Sequence, residues 1–150
     1  MVGGAWVLVK ELSVGKLTLV ESAVRDEGLS YHYAEPGCKI MAQPQALSVL
    51  CAALEGRGLP FMSGKAWTTD APYRETPAAI ATRRAEGSLT VEMKAASLMA
   101  VAQFRNVLMG QILYAGDDLS GADRDSRGWR SRKRVRERMF WLAADACLEM

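Results

Sequence analysis

Three short stretches place polar side chains directly after an apolar run: "TTDAPYRET" at residues 68–76, "VEMK" at 91–94 and "YAGDD" at 114–118. In open α/β sheets, ligands bind beyond the carboxyl ends of strands, where loops lead into helices. A carboxylate at such an edge loses part of its hydration, which raises its pKa and suits it to acid–base work. Spacing alone also fits a plainer reading, in which these Asp and Glu residues are caps and turn formers.

Other chemistries find less support. His32 is the only histidine and has no Cys or His partner at ligand spacing, so no metal site is expected. "VGGAW" has neither the Walker spacing nor the dinucleotide-binding pattern, and no serine sits in a nucleophile-elbow sequence. Residues 124–138 carry seven Arg and one Lys against Asp125 and Glu137. The same segment carries Val135, Met139 and Leu142 at helical spacing into the chain's last helix. The arginines of the helix "RSRKRVRERMFWLAADACLEM" are therefore expected on its solvated face, covering Trp129 and Trp141 with their stems, and nucleic acid is not an expected partner. Met93, Met99, Met109 and Met139 read as core filling.

The elements that must position these residues alternate. "AWVLVK" and "KLTLVESAV" read as strands, and "PQALSVLCAALEGRG" as a helix opened by Pro44 and closed by Gly56 or Gly58. "LPFMSGKAWTT" is strand-like, "DAPYRETP" a polar loop and "AAIATRRAEG" a short helix. "SLTVEM" is a strand, 94–105 a helix apolar almost all round, "VLMGQILYAG" another strand, and a long helix begins near Ser131. Such alternation predicts an α/β layered fold around a largely buried sheet.

Size and composition agree with one domain over 1–150. The chain has 150 residues, 49% hydrophobic and 24% charged, with a net charge of +2. No apolar run approaches the ~20 residues of a membrane span. The start lacks a signal-peptide pattern. Three cysteines without metal-type spacing predict reduced thiols and a cytoplasmic protein.

Four stretches in order, "VRDEGLSYHYAEPG", "GKAWTTDAPYRET", "VEMKAASLMAVAQFRNVLMGQILYAGDDLSG" and the "SRGW…RERMFWLAADACL" tail, resemble the nucleoside phosphorylase family, in its uridine phosphorylase-like branch. The resemblance implies a three-layer α/β/α sandwich around a central mixed sheet, and dimers grouped into hexamers. It implies phosphorolysis of a nucleoside, such as uridine, to free base and ribose 1-phosphate, with phosphate as co-substrate and no cofactor. By matching position, Thr69, Asp70, Tyr73 and Arg74 would face the base. Glu92, Met93 and Lys94 would lie at the ribose, and Asp117 would assist departure of the base.

Two departures from the family pattern carry expectations of their own. The family motif reads Glu-Met-Glu, and its second Glu accepts hydrogen bonds from the ribose hydroxyls; here Lys94, which only donates, stands there. Met1 falls just before the segment matching a glycine-containing strand-turn, and Trp6 replaces a glycine of that turn, where its bulk should intrude on the pocket. The sequence thus reads as an N-terminally truncated member with the upstream phosphate-binding part absent. Loss of neighbouring strands predicts an exposed edge, and with it self-association or pairing with a homologous chain. The alternative function is an inactive remnant that acts as a nucleoside-binding or partner subunit.

Overall fold

The structure, a computed structural model, describes residues 1–150 apart from Ser13, Ala122 and Arg132, and of Arg130 the backbone only. The strands are β1 (Val2–Val7), β2 (Leu17–Asp26), β3 (Lys39–Met41), β4 (Phe61–Thr69), β5 (Ser88–Glu92) and β6 (Ile112–Asp118). The helices are α1 (Pro44–Gly56), α2 (Pro77–Ala85), α3 (Ala95–Phe104) and α4 (Lys133–Leu148). Two local rules recur at helix starts. Pro44 and Pro77 occupy the first turns of α1 and α2, where a missing N–H costs nothing, and the Thr76 hydroxyl accepts from Ala79 N at 3.3 Å.

The strands form one mixed sheet in the order β3-β2-β4-β5-β1-β6. β2 runs parallel to β4, β4 to β5 and β1 to β6, while β1 and β5 are antiparallel. β6 returns to pair antiparallel with the start of β2, Leu17 facing Tyr114 and Leu19 facing Ile112. A register shift between Val20 and Ser22 follows, and the second half of β2 then pairs with β3. The ring β2-β4-β5-β1-β6 is therefore closed. This central mixed sheet with packed helices is the expected fold class; its closure is the part not anticipated. β1 lies between β5 and β6, so the free edge expected there is occupied. The short β3 ends the sheet order instead.

α3 packs Ala95, Ala96, Met99 and Ala100 against Val20, Ala23, Ala66 and Leu113. Its small residues let the helix approach the sheet closely, which explains an apolar surface almost all round. α1 and α4 cover Leu17, Leu19 and Ile112 through Leu50, Leu54, Met139 and Leu142. Ala79 and Ile80 of α2 meet Trp67, Val91 and Leu119. Among the described residues no helix is long and apolar enough to cross a membrane.

Candidate functional site

The ends of β1, β5 and β6 and the loop after β4 converge on one cleft with two adjoining compartments. The inner recess, about 200 Å³, is walled by Gly4, Ala5, Trp6, Gly116 and Trp129 on one side and by Val91, Glu92, Met93 and Lys94 on the other. The outer groove, about 700 Å³, runs past Tyr73, Ile80, Arg84, Leu119 and Arg124. Trp6, Pro72, Glu75 and Met93 line both. Gly116 leaves little room here: a Cβ would stand 3.0 Å from the Ala5 carbonyl oxygen and 3.6 Å from the Trp129 ring.

At the end of β5, the Glu92 carboxylate is fully engaged. It accepts from the Thr68 hydroxyl at 2.7 Å, from Lys94 N at 2.7 Å and from Ala95 N at 2.9 and 3.0 Å. The Thr68 hydroxyl in turn accepts from Ala96 N at 3.0 Å. Together they satisfy the first backbone donors of α3 and place negative charge at the positive end of its dipole. This is the plainer of the two sequence readings for Glu92. Lys94 is the N-cap of α3 with an exposed side chain, and Met93 is half exposed at the rim.

The loop after β4 divides its residues between structure and cleft. The Thr69 hydroxyl accepts from Ala71 N at 3.2 Å, and Asp70 accepts from Gly28 N at 3.0 Å, which ties this loop to the one after β2. The Pro72–Arg74 turn leaves Tyr73 wholly exposed and Arg74 exposed at the outer edge. Glu75, which the sequence did not single out, points inward instead. Its Oε2 is buried without a hydrogen-bond partner among the described residues. Burial pushes its carboxyl up to about 7 against the opposing charge of Arg124.

At the end of β6, Asp117 is 1% exposed, and one carboxylate oxygen, Oδ2, is paired with Arg124, whose Nε donates at 2.5 Å. Oδ1 is buried and has no partner among the described residues, and the same holds for the Trp129 indole N–H. The Arg124 guanidinium lies 4.3 Å above the centre of the Trp6 ring. Next door, burial works against ionisation of Asp118. Hydrogen bonds from Ser120 and the charges of Arg127 and Arg84 outweigh it and hold the carboxyl below the usual carboxylate range.

On α4 the arginines stand on the solvated face expected of them, Arg134, Arg136 and Arg138 all being exposed, while Arg124 and Arg127 of the segment before it turn inward. Arg124 serves the cleft, and Arg127 ties the segment down by donating to the Gly116 and Leu12 carbonyls. Arg132, of the same cluster, lies outside the described residues. Glu75, Arg124 and Trp129 are functional candidates that sequence reasoning missed. Glu75 sat in a loop read for its neighbours, and Arg124 was one cation among eight. Among the described residues no three metal-binding side chains converge.

The sequence profile of the Phosphorylase superfamily matches residues 1–140. No curated protein matches the chain at a significant level. Among solved structures, an AMP nucleosidase from Bacteroides thetaiotaomicron VPI-5482 superposes with a TM-score of 0.77 at 22% identity, over 97% of this chain and 57% of that one. A P. knowlesi homologue of P. falciparum PNP superposes with a TM-score of 0.80 at 19% identity, over 97% of this chain and 59% of that one. The chain therefore spans less than three-fifths of either neighbour, at identities that speak for the fold alone. The profile match over nearly the whole chain decides the family: this protein belongs to the phosphorylase superfamily.

Proposed function

We propose that the cleft binds a nucleoside and cleaves its N-glycosidic bond with phosphate, giving free base and ribose 1-phosphate, with uridine or a related pyrimidine nucleoside as substrate. One observation carries the reading: Glu75, which lines the cleft, and Asp117, paired beneath the cleft residue Arg124, each keep a buried carboxyl oxygen without a partner among the described residues. Buried polar groups are normally satisfied, and an exception beside a cleft is explained by a ligand that completes the bonding.

The chemistry follows the charge. Departure of the base builds negative charge on it while the sugar becomes cationic, and groups that match those charges lower the barrier. Arg124, held on Asp117, supplies positive charge at the leaving base. Glu75, carrying its proton near neutrality, can donate to it. Thr69, Asp70, Tyr73 and Arg74 belong to the base side of this reading, and Glu92, Met93 and Lys94 to the ribose side. Self-association or pairing with a homologous chain belongs to the proposal as well; exposed Phe104 and Val107 supply apolar surface for it.

A second reading, nucleoside binding without turnover, is favoured by the ribose side. Glu92 has its carboxylate committed to the α3 N-terminus, and Lys94 brings an ammonium toward a sugar that must become cationic. The experiment that separates the two readings is release of base from uridine, inosine and adenosine, with and without phosphate, by the native chain and by Lys94→Glu. Phosphate-dependent release by the native chain supports phosphorolysis. Release only by the variant assigns the loss to Lys94. Saturable nucleoside binding with no release from either chain establishes the second reading.

A further inference from the structure

Arg124 sits on the irregular segment between β6 and α4, with nearly half of its side chain exposed, yet it meets a carboxylate that is almost fully buried. A long side chain on a loop needs something rigid to hold it in such a geometry. Trp6 is rigid: it lies on β1, between β5 and β6, paired in register with Val91. A guanidinium can stack its flat face on an indole while its in-plane N–H groups remain free to donate. That is the arrangement here, with the indole under the guanidinium and Asp117 Oδ2 at its edge.

We propose that Trp6 is the positioning residue of this cleft: its indole fixes Arg124 against Asp117, and so fixes a cation that faces both Asp117 and Glu75. Where the family resemblance expects a glycine, the bulk of Trp6 then has a purpose other than filling the pocket. A glycine or leucine offers no π-face, and a lysine at 124 could not stack and donate in the same plane. The inference rests on the proposed nucleoside site for its functional meaning. Its test needs no turnover.

The test reads the titration of the Glu75 carboxyl by carbon-13 NMR. Arg124 lowers that pKa, against the burial that raises it. Arg84 of α2, Lys94 at the start of α3 and Asp123 also line the cleft and stay in place throughout. Arg124→Ala is expected to raise the Glu75 pKa above its native value of about 7. In a Trp6→Leu background the same substitution is expected to have little effect, because Arg124 has already left its place. In a Trp6→Phe background, with a weaker π-face, the rise should be intermediate. Comparing one substitution across backgrounds cancels the change in cleft hydration that Trp6→Leu itself causes. Equal rises in all backgrounds overturn the proposal. If Trp6→Leu does not fold, a rise in Trp6→Phe equal to the native one overturns it alone. Failure to release base would defeat the proposed function and leave this result standing, and the converse also holds.

Discussion

Glu92 and Glu75 are the same residue type at the same cleft, and the fold treats them in opposite ways. Glu92 ends β5 and closes onto the first backbone N–H groups of α3, so its carboxylate is saturated with donors and structural. Glu75 follows the Pro72–Arg74 turn and is partly buried, with one buried oxygen unpartnered among the described residues, so its proton is retained into the neutral range. A site-like sequence position therefore does not identify a reactive group. What identifies one is whether local backbone donors have already claimed it.

The contrast can be broken in order of expected effect. If the reactive groups lie on the Asp117 and Glu75 side, Asp117→Asn should lower kcat/KM for base release by roughly 10²–10³-fold, the usual weight of a group that fixes charge for the transition state. Steady-state kinetics on the preferred nucleoside checks this, and a loss below tenfold would remove Asp117 from the chemistry. On the structural side, Glu92→Ala should cost about 1–2 kcal/mol of stability in urea unfolding, because it strips the donors at the start of α3. An unchanged midpoint would mean that the cap carries no weight.

A pH series sharpens the comparison. The folded pKa of Glu75, about 7, lies above its ordinary value of 4.5. The native state then holds a proton that the unfolded chain has released. Stability should fall as pH rises between those values and level off above them. Glu75→Gln should remove this component, seen as a smaller loss of urea midpoint from pH 4.5 to pH 7 than in the native chain. Identical profiles would show that Glu75 titrates normally. Smallest of all, Lys94→Glu should change stability by less than about 1 kcal/mol, since the α3 dipole already has Glu92 as its counter-charge. A larger loss would show that the ammonium has a structural role.

Legibility followed the range of the interactions. α3 was readable because its apolar residues are close together in sequence, and α1 because Pro44 marks its first turn, while Pro77, read as the end of a loop, opens α2. The strand ends bearing Glu92 and Asp117 and the loop bearing Asp70 were readable as strand-to-helix edges. The individual roles were less so. Asp70 is bound to Gly28, 42 residues away, and Tyr73 projects into solvent, neither of which loop composition encodes. The extra pairing of β6 with β2 was also hidden, since apolar alternation gives a strand's faces but not its neighbours.

By itself the sequence determined the alternation of strands and helices, the burial of α3, the edges where a ligand could sit and the resemblance to a phosphorylase family. Those are matters of periodicity, punctuation and motif order. The tertiary structure alone decided which carboxylates remain available, because desolvation and pairing depend on groups brought from afar. Trp6, Glu75, Arg124 and Trp129 come from distant parts of the chain, and only the closed sheet brings them to one cleft, with Asp117 buried beneath Arg124.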